Sequence, residues 1–486
     1  MIYNHFIAPF GQRTEAVKHR IKRTIWIFVI IVLIGVAYSA YTLYQLGPVG
    51  AGYVAKHLCS GVFVSGRDPK RIMALDLSRG SFVQWKINRL DHSVTASVLG
   101  LFSRRAVYRP GLGCTLVIGR TEDQIKDQPT GDQIRVKLDP NKMWPLGRRV
   151  DLTDPPPGVD RAKLEAAVGR AFAEPDPKHL RRTWAVVVVY RGRIIAERYR
   201  PPVTRNTPLL GQSMTKTVTG ALVGILVHRG QLKLEGPAPV PEWRSPGDPR
   251  HQITLDQLMH MMSGLSWDED YTNPLSDVPY MLYGTGDKGA FAAAKSLADK
   301  PGTRWYYSTG TTNIICRIMK QSFGQDLAAY LSFPRRELFN PLGMTSAVLE
   351  PDASGTFTGS TFMYATARDW ARFGLLLLRK GDWFGRRILP AGWVDYLVKP
   401  GPGRAPKKYG PYFLRYGAQV WLYAGGDSPA GRRLPPGTYT LRGYQGQFVT
   451  VVPSRRLVVV RLGLTLGRGD WDQGALVADV LGAIKK

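Results

Sequence analysis

Cysteine and histidine are both scarce, three and eight in 486 residues. No Cys/His cluster has the spacing of a zinc site, so the chain is read as using neither a metal nor a cofactor. Acidic residues are also few, 37 against 66 basic ones, which leaves a net charge of +29. A field of that size attracts anionic polymers or membrane surfaces. The basic residues are scattered, however. No zinc-finger spacing, RNP-type aromatic motif or basic helix is present, which argues against nucleic acid as a partner. An apolar fraction of 44% excludes a disordered chain.

Charge is missing altogether from residues 25–43, an apolar run long enough to cross a bilayer. Arg13, Lys18, Arg20, Lys22 and Arg23 precede it, and the next basic residue is Lys56. This asymmetry predicts a cytoplasmic basic segment (1–24), a signal anchor (25–43) and a single-pass protein of the inner or plasma membrane, with the remainder periplasmic or extracellular. A cleavable signal peptide ending near Ala37-Tyr38-Ser39 is the alternative; the long polar lead-in favours the anchor. An exported compartment permits disulfides, so Cys59 and Cys114 are expected to pair, with two free thiols as the other possibility. Cys316, in the apolar stretch Ile314-Ile315-Cys316, reads as core.

Residues 52–145 form an exported pre-region with strand-like runs at 61–64 and 115–118 and no motif of assignable chemistry. Three prolines in Asp154-Pro155-Pro156-Pro157-Gly158 predict a linker. Residues 161–173 have helical spacing, and 184–190 and 194–199 read as strands around an Arg191-Gly192 turn. Helical patterns dominate to about residue 400. Strands return at 419–423, 447–452 and 457–462, the last two joined by Pro453-Ser454-Arg455-Arg456, and a helix closes the chain at 474–484. Strands at both ends of a helical middle predict one α+β domain over 160–486.

Within that domain, Ser213-Met214-Thr215-Lys216 opens an almost wholly apolar helix. Ser213 and Lys216, three apart, share a face. Unpaired N–H groups at a helix start favour an oxyanion, and burial lowers a lysine pKa toward useful basicity. A second motif, Pro301-Gly302-Thr303-Arg304-Trp305-Tyr306-Tyr307-Ser308-Thr309-Gly310, brings Tyr307 to the start of another helix. A neighbouring ammonium is expected to lower its pKa, so that Tyr307 takes the serine proton and returns it to the leaving group. The third motif, Gly443-Tyr444-Gln445-Gly446-Gln447, opens the terminal hairpin. Its glycines permit close approach of substrate, and the N–H groups of Ser213 and Gln447 are the expected oxyanion hole.

Three such motifs in this order resemble the serine β-lactamase and penicillin-binding-protein superfamily, in its class C-like branch with family VIII esterases, DD-peptidases and 6-aminohexanoate-oligomer hydrolases. Residues 253–265, Asn340-Pro341-Leu342-Gly343-Met344 and residues 365–374 resemble further shared stretches, so the likeness covers about 160–486. It implies a β-lactamase/transpeptidase-like fold, an antiparallel sheet with flanking helices and a helical subdomain. Ser213 then corresponds to the acylated nucleophile, Lys216 to its partner and Tyr307 to the tyrosine of Tyr-x-Asn. Thr309 stands where asparagine is usual. Tyr444-Gln445-Gly446 replaces the Lys-Thr-Gly or His-x-Gly triad, and with Thr309 it is expected to bind substrate.

The triad normally offers a cation to a substrate carboxylate, and tyrosine and glutamine bring none. The resemblance therefore implies an amidase or esterase acting through a Ser213 acyl-enzyme on a small or peptide-like ester or amide. The alternatives are a weak β-lactamase or DD-peptidase acting on cell wall, and a catalytically silent envelope-binding protein. Trp267-Asp268-Glu269-Asp270 reads as a solvated acidic loop, or else as carboxylates at the cleft mouth. His228, His251 and His260 read as structural.

Overall fold

In a computed structural model, residues 10–401, 416–422, 428–467 and 469–485 are described. Helix α1 (Phe10–Phe63) meets two different surroundings along its length. Trp26, Phe28, Ile31, Leu33 and other large apolar side chains up to Tyr44 stand exposed, whereas Ala51, Val54, Ala55 and Leu58 are fully buried. Pro48 lies between the two halves. The exposed half is long and apolar enough to cross a membrane.

The buried half packs on a four-stranded antiparallel meander, β1 (Gln84–Asn88), β2 (Ser93–Val98), β3 (Phe102–Arg109) and β4 (Gly113–Leu116). Val94, Ala96, Ala106 and Leu116 meet Val54 and Leu58 in one cluster. A disulfide joins Cys59 of α1 to Cys114 of β4, with the Cα atoms 6.1 Å apart. Closing a loop of that length contributes about 4 kcal/mol by restricting the unfolded chain. Of residues 61–64, expected as strand, the first three instead end α1 and Val64 follows in a turn. Leu58 and Val62 are four apart and both buried, so the apolar run continues a helical face.

Residues 128–150 have little regular structure and lie along the second unit. Gln133 donates to Leu331 O, and Arg372 donates to the carbonyls of Pro145 and Gly147. Helix α2 (Arg161–Phe172) follows, capped by Asp160, whose carboxylate accepts from Lys163 N at 3.0 Å.

The second unit is built on β5 (Thr183–Tyr190) and β6 (Arg193–Tyr199). Next come α3 (Thr215–His228), α4 (Thr309–Gln321) and α5 (Ala367–Leu378). The chain then returns to the sheet as β7 (Tyr439–Gly443), β8 (Gln447–Val452) and β9 (Leu457–Gly463), and ends in α6 (Gln473–Gly482). The antiparallel order is β7-β8-β9-β5-β6. Both faces are covered, which explains why β5 reads as unbroken valine rather than alternating. Val186 and Val188 pack toward α2 and α6, and Ala185, Val187 and Val189 toward the helical body. The fold is therefore α+β with an antiparallel sheet, flanking helices and a helical portion.

The run at 419–423, expected as strand, is a turn within its described residues. Trp421 bridges Tyr416 and Thr440 and forms no longer ladder. Tyr423 lies outside the described residues. The run at 115–118 is strand only through Leu116.

Candidate active site

Ser213 sits in a 3₁₀ turn, Gln212–Met214, that leads directly into α3. Gln212 before it has a left-handed backbone, φ 50°, which a side chain makes costly. Two glycines make room for this turn. A Cβ on Gly211 would lie 2.2 Å from Trp370, and one on Gly443 would lie 2.3 Å from Gly211 O. The end of β7 can thus rest against the nucleophile turn.

The apolar sides of α3 bury its first-turn lysine, leaving Lys216 1% exposed. Its Nζ lies 3.1 Å from Ser213 Oγ, 3.0 Å from Ser360 O and 3.2 Å from Thr309 Oγ1. Burial lowers its pKa to about 8, with Glu269 and then Cys316 acting in the opposite direction. Ser213 itself is half-buried.

Tyr307 enters from the loop before α4. Its ring lies under Lys216, 4.9 Å from Nζ to centroid, and stacks on Trp421 at 5.3 Å. Its hydroxyl interacts with the Ser213 side chain. The expected fall in its pKa is not what the surroundings impose. Burial first, and then the Glu269 charge, push it up, while Ser213 and Arg442 oppose only in part. Tyr307 is a neutral phenol at neutral pH.

Glu269 is the group the sequence reading undervalued. Its carboxylate turns inward, accepting from Trp267 Nε1 at 2.5 Å, Tyr271 OH at 2.8 Å and Thr309 N at 2.8 Å, and from the Thr309 hydroxyl. Asp268 and Asp270 stay exposed, so only part of this loop is solvated. The inward turn has a cause in α4: the carboxylate meets the N–H of Thr309 at the start of the helix, where the dipole favours negative charge. Nothing in Trp267-Asp268-Glu269-Asp270 alone distinguishes the middle carboxylate; its pairing with Tyr271 two residues on was the available hint.

Thr309 is fully buried. Its hydroxyl proton goes to Glu269, and it accepts from Lys216. Expected to bind substrate, it instead stands between lysine and carboxylate as a spacer. Its single donor is already used.

The hairpin also differs in detail. Thr440 exchanges both backbone bonds with Trp421 across the outer edge of β7, at 2.8 and 3.1 Å. Alternation then turns the N–H groups of Arg442 and Tyr444 to that same edge, while Gly443 and Gln447 face each other inside the hairpin. The N–H of Gln447, the expected oxyanion donor, is thus engaged with Gly443. Its side-chain amide bonds Gly463 on both sides, at 2.6 and 3.1 Å. Tyr444 is 40% exposed and stacks on Tyr271 at 5.1 Å. Gln445 and Gly446 form the turn with φ 61° and 82°.

The remaining candidates lie elsewhere. His228 ends α3 on the surface, His251 is exposed, and His260 is buried with Nδ1 3.1 Å from Asp256. Cys316 is a buried free thiol in α4. Among the described residues no cluster of His, Cys, Asp or Glu has metal-binding geometry.

A half-exposed serine at a helix start, a buried lysine and a tyrosine beside an antiparallel sheet edge define the frame of a β-lactamase/transpeptidase-like serine hydrolase. The profile of the Beta-lactamase family matches residues 167–478, and the chain belongs to that family. Over 235 residues it is 26% identical to the 6-aminohexanoate-dimer hydrolase of Paenarthrobacter ureafaciens, covering 46% of this chain and 59% of that relative's length. Among solved structures, a family VIII carboxylesterase superposes with TM-score 0.51 at 15% identity, over 67% of this chain and 96% of the other. A penicillin-binding-protein homologue from Caulobacter crescentus gives 0.50 at 15% identity, over 67% and 98%. At these identities the two structures speak for the fold.

Proposed function

We propose that this protein hydrolyses an ester or amide through an acyl-enzyme on Ser213, from a position anchored in a membrane. The observation that carries the reading is Lys216 Nζ at 3.1 Å from Ser213 Oγ in a site that depresses the lysine pKa to about 8. The neutral amine takes the Ser213 proton as Oγ attacks the carbonyl carbon. Tyr307, kept neutral, gives its proton to the departing alcohol or amine, and the proton on Lys216 restores it. Water then attacks the acyl-enzyme by the same relay and releases the acid. The N–H groups of Ser213, at the helix start, and of Tyr444, on the outer edge of β7, are the donors this reading assigns to the oxyanion. The 26% likeness to a 6-aminohexanoate-dimer hydrolase supports amide or ester chemistry without naming the substrate.

The exposed apolar half of α1, with basic residues before it, supports a single-pass anchor that leaves the catalytic unit outside the cytoplasm. A C-terminal alkaline phosphatase fusion is expected to be active, and an inactive one overturns the orientation.

The deciding experiment is hydrolysis of a p-nitrophenyl ester with fluorophosphonate labelling of the intact protein. Ser213→Ala is expected to abolish both while the melting temperature holds. More than a few per cent residual turnover removes Ser213 from its role.

One observation favours a second reading. Arg442 lies on the same edge as Tyr444, and its charge acts on Tyr307. The cation missing from Tyr444-Gln445-Gly446 thus has a substitute two residues earlier, which would suit a carboxylate-bearing substrate such as a cell-wall peptide or β-lactam.

A further inference from the structure

We propose that the substrate is an acyl ester or amide resident in the bilayer, whose acyl chain lies in a groove between α1 and the hydrolase unit. The inference rests on the reading of the protein as a membrane-anchored serine hydrolase. A cavity of about 370 Å³ separates the two units. Leu46, Val49, Gly50, Tyr53, His57 and Gly61 form one of its walls. Their spacing of three and four places them on a single face of α1, along about 22 Å of helix. Such a wall suits a long chain better than a compact solute.

The lining joins the two units. It includes Gln212, the neighbour of Ser213, and the stacked Tyr271 and Tyr444. It also includes Leu46, which follows the predicted membrane-spanning run by three residues, about 5 Å along the helix. The lining residues Phe82 and Leu466 are 66% and 42% exposed. Close by, the β2–β3 turn presents Leu99 and Leu101 to solvent, on a hairpin whose Phe102 packs on Tyr44 of α1 at 6.2 Å. Isolated exposed leucines need no explanation. An exposed apolar turn fixed beside the point where α1 leaves the apolar span places these side chains at the bilayer surface.

The polar lining offers little to a charged solute. Arg67 and Asp76 neutralise each other through two bonds of 2.6 and 2.7 Å. His57 donates to or accepts from Tyr283 OH at 2.8 Å. The reaction needs only water: the acyl–oxygen or acyl–nitrogen bond breaks, Ser213 holds the acyl group, and water yields the fatty acid plus an alcohol or amine.

The test uses full-length protein in phospholipid vesicles and p-nitrophenyl esters from acetate to palmitate. kcat/KM is expected to rise with chain length, by up to about fourfold per methylene until the groove is filled. Leu46→Trp, which blocks the groove, and Phe82→Glu, which charges its exposed rim, should each lower palmitate hydrolysis at least tenfold and leave acetate within twofold. In a binding arm independent of catalysis, Ser213→Ala protein should take up cis-parinaric acid and release it to palmitate, and adding Leu46→Trp should abolish uptake. Acetate turnover with no chain-length preference, or variants that lose both esters equally, overturns the groove and leaves the hydrolase reading standing. Absence of acetate turnover overturns that reading instead, and the binding arm then judges the groove alone.

Discussion

Three lysines are buried among the described residues, and two of them, Lys56 in α1 and Lys216 in α3, stand in opposite arrangements. Lys56 touches Glu350 directly, and its Nζ also reaches Cys114 O at 2.6 Å and Ser60 Oγ at 3.3 Å. Glu350 in turn accepts from Cys114 N and Ser60 Oγ, both at 2.7 Å. Every partner is already engaged, so the pair locks the α1–β4 unit onto the hydrolase unit. Lys216 has a carboxylate within its field as well, but Thr309 stands between them. Burial lowers both lysine pKa values. Only Lys216 spends its remaining hydrogen-bonding capacity on a half-exposed serine. The difference between the two amines is whether the counter-charge touches the ammonium or is held one hydroxyl away, and the second arrangement is the one that suits the base proposed for Ser213.

The strongest way to break the comparison is at Lys216. Lys216→Ala and Tyr307→Phe are each expected to lower kcat about 10²- to 10⁴-fold, as for lost acid–base catalysis. Their combination should fall well short of the product, because both handle the same proton. Steady-state ester hydrolysis checks this, and multiplicative losses would show two independent functions.

Lys56→Ala should have the complementary signature. Removing one partner of a buried ion pair strands Glu350 and costs about 3–5 kcal/mol, read as a lower midpoint in urea unfolding. kcat of the folded fraction should stay near wild type. Lys56→Met with Glu350→Leu should recover much of the stability. A large kcat loss in folded Lys56→Ala protein would make the two lysines catalytically alike and dissolve the distinction.

A smaller effect is expected from Arg442→Gln, which separates the two substrate readings. If a substrate carboxylate docks at the β7 edge, removing this charge should cost about 10- to 100-fold in kcat/KM, the worth of a hydrogen bond to a charged group. Neutral esters should change less than threefold. Equal loss for a chromogenic cephalosporin and a neutral ester removes Arg442 from recognition.

Much of this was legible in the chain. The meeting of Ser213, Lys216 and Tyr307 is legible from an apolar helix and one loop motif, because local pattern dictates where a helix begins and what it buries. The strands expected at 184–190 and 457–462 are legible from apolar runs, and the structure extends each by one residue, to Thr183–Tyr190 and Leu457–Gly463. What escaped notice depends on partners remote in sequence. Glu269 became part of the site only when α4 presented its N-terminus. Thr309 changed from substrate contact to spacer because Glu269 took its proton. Gln447 lost its oxyanion role to hairpin register, which a one-residue slip would invert. Residues 61–64 read as strand in the sequence because a short apolar run does not reveal its period.

The finest adjustment of the comparison is Glu269→Gln. The Glu269 charge raises the pKa of Lys216 against the larger lowering by burial. The proposed mechanism uses the neutral amine, so kcat/KM of wild type should rise with pH through about 8. Without the carboxylate charge the ammonium is less stable, so the limb should move to lower pH, with a few-fold gain on its acid side. The same substitution removes a charge that raises the Tyr307 pKa, so any alkaline limb should also move down. Stability has its own sign. Lys216 titrates lower in the folded chain than in the unfolded one, so between about 8 and 10.5 the unfolded state binds more protons and stability rises with pH. Glu269→Gln should widen that window at its lower end. Gln can still accept from Thr309, so the melting temperature at pH 9 should change little. A limb that stays in place or moves upward would mean that Thr309 shields Lys216 completely, and that Glu269 is only a cap for α4.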